Sequence, residues 1–496
     1  MHHAKNIIEQ LAKTVAEFDF KFAFKFQFRD LPTFIHKSEI KSPKNKHVPR
    51  FLETMLTWED FKELKEFAAQ HGFLTICTPF DEASVDKIEE LEFDLLKIAS
   101  CSAADWPLLT KASSSGLPMV VSTGGLEINQ VDKLVSFLQH AGNDFSLMHC
   151  VGVYPTPPEL CNLLDITYFK QRYSSVHEIG WSTHEEPENI HIVKMAKALG
   201  ATMFERHVGL ETEELKLNAY SSSPAQIYKW LKAIENAQNI LGTSGRLNIN
   251  QVEKKSLNAL ARGTFLKSNL SKGHVLQDED VYFAFPLAEE SISSGEFRSG
   301  LTLDTNVKKD MPLKKIDLQS LTNDEKTKLD SLKVIKNAIH EVKAMLNLAK
   351  IVLPNSFSTE YSHHSGIANF YKIGATMITI LNRQYCKKLI IQLPGQWHPY
   401  HYHKIKEETF FILHGDLTVT LDGNTHNLKK GDTLLIQPGV WHSFNTTKGC
   451  IFEEISTTHL ANDSFYKDPK IKRLTNEERK TIVDHWGRFQ LKNQLL

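Results

Sequence analysis

Between residue 20 and about 241, short apolar runs alternate with amphipathic segments. The runs are FKFAFKFQF (20–28), FLTIC (73–77), FDLLKIA (93–99), PMVVS (118–122), FSLMHC (145–150), VHEIGW (176–181) and ATMFERH (201–207). Near-continuous apolar runs are what a strand buried on both faces requires, and segments such as EASVDKIEELE and NQVDKLVSFLQHAG carry helical spacing between them. This βαβα rhythm predicts a parallel sheet. Because polar residues gather at the C-terminal ends of the runs, a TIM (β/α)8-type barrel is expected rather than an open doubly wound sheet. Only seven runs are present, and the chain opens on the helical pattern MHHAKNIIEQLAKTVAEF. The barrel is therefore expected to lack its first strand, through truncation or a misplaced start.

The pattern then changes. LGTSGRLNIN (241–250) reads as a turn-rich linker, and residues 261–316 as a small β-rich module with turns at SNLSKGH and DTNVKKDMP. In TNDEKTKLDSLKVIKNAIHEVKAMLNLAK, apolar Ile335, Ala338, Ile339, Val342, Met345 and Leu346 recur at helical spacing. From about 370 to 457 the segments KKLIIQLP, ETFFILHG, LTVTLDG, DTLLIQPG and CIFEEIS predict closely spaced strands with glycine turns, hence a small double-sheet β-barrel. The expected domains are a barrel at 1–243, a β module at 251–317, a linker helix at 321–350 and a second barrel at 351–496.

Composition narrows the partners. A chain of 496 residues exceeds what one hydrophobic core organises. Lys+Arg 58 against Asp+Glu 59, with no long run of one sign, argues against nucleic acid and for small molecules. The six cysteines form no CxxC pair, as expected of thiols in a reducing compartment. No apolar stretch approaches the roughly 18 residues of a membrane span, and the N-terminus has no signal-peptide core. A cytoplasmic protein without membrane contact is expected.

Two sets of residues carry candidate chemistry. The first lies in WHPYHYHKIKEE (397–408). On a strand, His401 and His403 point to the same face, Glu408 adds a carboxylate, and His442 in QPGVWH adds a third imidazole. The spacing Gly395, five residues, His401-x-His403, four residues, Glu408, six residues, Gly415, completed by His442, resembles the two motifs of the cupin superfamily, with Gln437 where the second motif usually has proline. The resemblance implies a divalent metal held by His401, His403, Glu408 and His442, of which Fe, Mn or Zn would suit three histidines and one carboxylate. The tail EEISTTHLANDSFYKDPKIKR resembles that of the D-lyxose-isomerase-like cupins.

The second set sits at the strand ends of the first barrel: Lys25 and Gln27 in KFQF, Thr78 in CTPFD, Lys97 and Ser100 in KIAS, Ser122 in VVSTGG, Ser182 and His184 in GWSTH, and Glu205 and His207 in FERH. Two lysines and several hydroxyls at one barrel mouth suit a small dianion such as a phosphoester carboxylate. Two histidines on neighbouring strands could hold a divalent ion. Here KFQF, CTPFD, LLKIAS, MVVSTGG, LMHCVGVYPTP, IGWSTH and FERH resemble the sialic acid synthase family, the N-acetylneuraminate and related nonulosonate synthases. RGTFLKSNLSKGHVLQDEDVYFAFP resembles the SAF (antifreeze-like) domain that follows their barrel.

The resemblance implies phosphoenolpyruvate-dependent condensation with an N-acylhexosamine, such as N-acetylmannosamine, to give a nonulosonate and phosphate. It assigns Lys25, Thr78, Lys97, Ser100, Ser122 and Ser182 to phosphoenolpyruvate and His184 and His207 to a divalent metal, Mn or Mg. Gln27, Tyr154 and Glu205 fall on the sugar side, so the expected catalytic set is Lys25, Gln27, Lys97, Tyr154 and Glu205. A homodimer is implied as well. Ser102 and Asn218 stand where the family commonly has acidic residues, Gly152 where an asparagine occurs, and FAFP where it has KRP. The other reading is a metal-dependent cupin sugar isomerase, or a carbohydrate-binding protein, carrying a degenerate barrel. In the isomerase, Glu408 or Glu454 would move the proton.

Overall fold

The computed structural model describes all residues except 42, 246–248, 320–322, 484–485 and 487–496, and of 323–330 only the backbone. Part of the expected 241–250 linker, the first residues of the expected 321–350 helix and the end of the expected 351–496 barrel thus lie outside the described residues. The chain forms two compact units, Met1–Asn248 and Ile249–Leu496.

In the first unit, β1 (Ala23–Phe28), β2 (Leu74–Pro79), β3 (Leu95–Ile98), β4 (Met119–Ser122), β5 (Phe145–Cys150), β6 (Ile179–Thr183) and β7 (Met203–Arg206) pair in chain order, all parallel. Each apolar run supplies one strand. Among the described residues β1 pairs only with β2 and β7 only with β6, so the sheet is a seven-stranded curled arc, a half-barrel. Helices start where the sequence offers caps: Thr57 with Asp60 and Ser223 with Gln226 form capping boxes, and Asp81 caps the helix Glu82–Glu90.

Strand alternation sorts side chains into layers. Ile76, Val120 and Met148 form an apolar cluster joined by Leu95 and Met203. Two residues further along the same strands stand Thr78, Lys97, Ser122, Cys150 and Glu205. The period of two thus places a polar ring directly above an apolar one, at the C-terminal end of the sheet. Gly180 completes the apolar layer, since a Cβ there would lie 2.3 Å from the Met148 sulfur.

The second unit opens with a helix at Gln251–Asn258, then the hairpin β8 (Gly263–Leu266) and β9 (Val281–Ala284) around a small core of Leu266, Leu276, Val281, Leu303 and Leu313. The helix Asn323–Leu348 follows. Its apolar stripe does more than link: Ile335, Ala338, Ile339, Val342 and Leu346 pack with Tyr361, Ile378, Leu389, Ile391 and Ile451 of the C-terminal sheet.

That sheet contains β10 (Ser358–Ser362), β11 (Ala375–Asn382), β12 (Tyr385–Gln392), β13 (Trp397–Tyr402), β14 (Glu408–Leu421), β15 (Asn424–Lys429), β16 (Thr433–Ile436), β17 (His442–Asn445), β18 (Cys450–Thr457), β19 (Phe465–Tyr466) and β20 (Lys480–Val483). The two strands expected at ETFFILHG and LTVTLDG are one, β14. Its first half pairs with β16 and β18 and its second half with β15 and β17, so it passes from one layer of the double sheet to the other. The crossing lies at Gly415, where φ is +77° and a Cβ would sit 2.1 Å from the Gly449 carbonyl oxygen. Only glycine fits this approach.

Gly415→Ala is therefore expected to destabilise the C-terminal unit by at least about 2 kcal/mol more than Gly423→Ala. Gly423 also has positive φ, but a Cβ there meets nothing within 4 Å. Urea unfolding of the two variants measures the difference, and equal midpoints would refute the steric account.

Candidate functional site

At the half-barrel mouth, the register sets Ser182 of β6 beside Glu205 of β7, and the Ser182 hydroxyl donates to Glu205 Oε2 over 2.7 Å. Lys25 Nζ donates to Glu205 Oε1, while Lys97 Nζ lies 3.5 Å from Oε2 and donates to Ser122 Oγ over 2.5 Å and to the Ile98 carbonyl over 3.1 Å. Lys97 is 2% exposed. Burial alone would push the Glu205 carboxyl up, but Lys25 and Lys97 overcome it and hold Glu205 far below the usual carboxylate range. Lys97 moves down, chiefly by burial, against the pull of Glu205.

Next to this ion cluster stand the two histidines. His184 Nδ1 donates to the Val151 carbonyl over 3.1 Å, which leaves Nε2 as a free lone pair. The His184 and His207 ring centres are 5.4 Å apart, and burial with the nearby Lys25 charge pushes His207 down to about 4. Tyr154 packs 4.1 Å from the His184 ring, and burial pushes its phenol up to about 12. Two neutral imidazoles beside a polar mouth fit a divalent ion completed by water and substrate. Ser100 Oγ accepts from the Gly124 N–H over 3.1 Å, and Thr78 Oγ1 is buried without a partner. Gln27 is exposed and accepts from Arg29 at 3.4 Å, at the edge of the group. Sequence reasoning missed Tyr220, whose ring is 5.2 Å from both Tyr154 and His207. It sits in a loop without periodic signal.

In the C-terminal barrel, His401, His403 and His442 are buried, with one ring nitrogen of each within 4.8 Å of the others. Each Nδ1 is committed: to the Pro399 carbonyl at 2.9 Å, the Asp463 carbonyl at 2.6 Å and the Val440 carbonyl at 3.0 Å respectively. All three imidazoles therefore turn Nε2 lone pairs toward a common point, the arrangement that metal-ligating histidines require. Glu408 Oε1 lies 2.9 Å from His442 Nε2 and 3.7 Å from His403 Nε2, yet neither Oε1 nor the His442 Nε2 finds a hydrogen-bond partner although both are buried. Such orphaned acceptors fit a cation between them. Lys406 Nζ holds the other oxygen of Glu408 at 2.5 Å and Glu454 Oε1 at 2.9 Å. Burial pushes His401 well down and His403 to about 4, so both stay unprotonated ligands at neutral pH.

His398 and His364, not singled out in the sequence, join the same cavity of about 60 Å³, their Nε2 atoms 3.1 Å apart. By strict alternation His398 would face away from His401. A register shift between His398 and His401 turns it inward, and its ring stacks 4.7 Å from Phe444.

Fold and site together define a curled parallel α/β half-barrel with a lysine-lined mouth and, later in the chain, an antiparallel double-sheet barrel with a histidine centre. The chain belongs to the NeuB family, whose model matches residues 16–246, and a Cupin domain model matches residues 389–453. It is 32% identical over 264 residues to the N-acetylneuraminate-9-phosphate synthase of Drosophila melanogaster, covering 48% of this chain and 70% of that relative. It is 27% identical over 224 residues to the N,N'-diacetyllegionaminic acid synthase of Campylobacter jejuni, covering 44% and 66%. Among solved structures, a candidate spore coat polysaccharide biosynthesis protein E of Chromobacterium violaceum superposes with a TM-score of 0.62 at 40% identity, over 64% of this chain and 95% of that one. No helix among the described residues is long and apolar enough to cross a membrane.

Two outcomes are expected. His442→Ala should abolish one equivalent of tightly held divalent metal, measured by elemental analysis after dialysis, whereas His426→Ala on the exposed β15 should not. In EDTA, His207 and His403 remain neutral down to about pH 4, while their unfolded counterparts protonate below 6.5. The unfolded state then binds more protons, so stability should fall progressively from pH 6.5 toward 4. Melting temperatures across that range test it, and a flat profile would contradict the buried-neutral assignment.

Proposed function

We propose that the half-barrel catalyses condensation of phosphoenolpyruvate with an N-acylhexosamine to give a nonulosonate and phosphate. The observation that carries this reading is the convergence of Lys25, Lys97, Ser122, Ser182 and Glu205 with His184 and His207 at the C-terminal strand ends. Family membership and relatives that are nonulosonate synthases support it.

In this reading the new carbon–carbon bond forms between C3 of phosphoenolpyruvate and the aldehyde carbon of the open-chain sugar. Water adds at C2, the bond from C2 to the phosphate oxygen breaks, and a 2-keto acid and inorganic phosphate result. Lys25 and Lys97 bind the carboxylate and phosphate, with Ser122, Ser100 and Thr78 donating to their oxygens and Ser182 beside them holding Glu205, so their contribution is positioning and charge compensation. Glu205, ionised throughout the neutral range, is no proton donor. It aligns the two ammonium groups and accepts from a sugar hydroxyl. Tyr154, kept protonated, donates to the oxygen that was the aldehyde. A divalent ion, Mn or Mg, held by His184 and His207 would supply Lewis acidity toward that oxygen.

Phosphate release from phosphoenolpyruvate is expected only when an N-acylhexosamine and the divalent ion are both present, with a 2-keto acid formed in equal amount. Lys97→Met should lower kcat/KM by at least about 100-fold, the scale of a lost transition-state charge contact. Release that is absent across a panel of N-acylated hexosamines, or indifferent to Lys97, would refute the assignment.

A further inference from the structure

The C-terminal cavity treats its lysines unequally. Lys406 is buried between two carboxylates, Glu408 at 2.5 Å and Glu454 at 2.9 Å, and Lys480 pairs with Glu360 at 2.9 Å. Lys388 has no such partner. It stands on β12 directly opposite Glu454 on β18, a cross-strand pair whose side chains share one face. Glu454, however, is already engaged by Lys406 and by the Ser456 hydroxyl at 3.2 Å. Lys388 is 5% exposed, lines the cavity with the histidines, and among the described residues its ammonium makes no hydrogen bond or ion pair.

The Lys388 charge acts on Glu454 across the strand pair, but no carboxylate among the described residues comes within ion-pair distance of its ammonium, which is left to face the cavity. The cavity wall as a whole has the same imbalance. Before any divalent ion is held at the histidine centre, which would add to the excess, Lys388, Lys406, Arg479 and Lys480 face Glu360, Glu408 and Glu454, four cations against three carboxylates with the lining histidines neutral. His459 on the same wall is pushed down to about 4, chiefly by burial and then by the charges of Lys388 and Lys406.

We propose that Lys388 is the anchor for the carboxylate of a monoanionic sugar acid that enters this cavity with its hydroxyls toward the histidine centre. One unmatched ammonium matches one negative charge. A phosphate dianion would want several donors and would meet the three carboxylates of the same wall, whereas a neutral sugar would leave Lys388 unpaired. The site is distinct from the half-barrel mouth, and the inference stands whether or not the condensation does.

Calorimetric titration of the full chain with D-glucuronate, N-acetylneuraminate, D-glucose and glucose 6-phosphate, each with Mn(II) and again in EDTA, tests it. At least one of the two carboxylates should bind, in EDTA as well as with metal. Lys388→Met should weaken that binding by at least about tenfold, the scale of a lost charged hydrogen bond, and Lys388→Arg should retain most of it. Without ligand, Lys388→Met should melt no lower than the parent, because no ion pair or hydrogen bond is removed with the ammonium. The proposal is overturned if neither carboxylate binds, if glucose or glucose 6-phosphate binds as well as the acids, or if binding vanishes in EDTA. A Lys388→Met variant with unchanged affinity, or one that melts lower without ligand, would overturn it too.

Discussion

A carboxylate taken out of water loses more than a single opposite charge at ordinary distance returns, unless hydrogen bonds hold the pair in place. Both units are organised around that constraint. Glu205 is held by Lys25, Lys97 and Ser182, and Glu408 by Lys406 with His442 close by. Both oxygens of Glu205 are held, whereas at Glu408 the lysine fixes one carboxylate oxygen and so determines where the other points. The remaining polar groups take their positions from that geometry: Ser122 receives Lys97, and Glu454 receives the far side of Lys406.

The two clusters differ in what they leave over. At the half-barrel mouth two ammonium groups share one carboxylate, so a surplus positive charge remains there while Glu205 holds both lysines in place. Near the histidine centre, Lys406 is satisfied on both sides and takes no further anion, which is why Glu408 Oε1 and the three Nε2 atoms are left facing one another. The carbonyls of Pro399, Val440 and Asp463 complete this by fixing the tautomers. Preorganisation of this kind lowers the ordering cost of whatever binds.

The half-barrel was legible because strands buried on both faces must be continuous apolar runs, and seven such runs gave seven strands. Its mouth was legible for the same reason, since a period of two carries VVS and MFE from an apolar layer to a polar one. The C-terminal barrel was read less completely. STEYS (β10) and KTIV (β20) are short strands toward one end of the sheet and carry too few apolar residues to stand out. β14 looked like two strands because Gly415 reads as a turn, when it is the place where one strand changes layer. His398 fell on the wrong parity until the register shift after it is seen, and no local pattern can announce a shift that depends on pairing with β17.

Lys388 shows why the rest of the cavity could not be read from the chain. In KKLIIQLP it is one of two adjacent lysines, and alternation alone says only that one faces in and the other out. Lys387 does pair with Glu453 at 2.7 Å on the outer side, which is the ordinary fate of a strand lysine. Glu454, opposite the inward Lys388, is held by Lys406, eighteen residues on, and Lys388 lacks the equivalent pair. Its unpaired charge is thus a property of three strands and a turn together. The function of such a cavity follows from the charge balance of the wall, in which the histidine motif, conspicuous in the sequence, is one part.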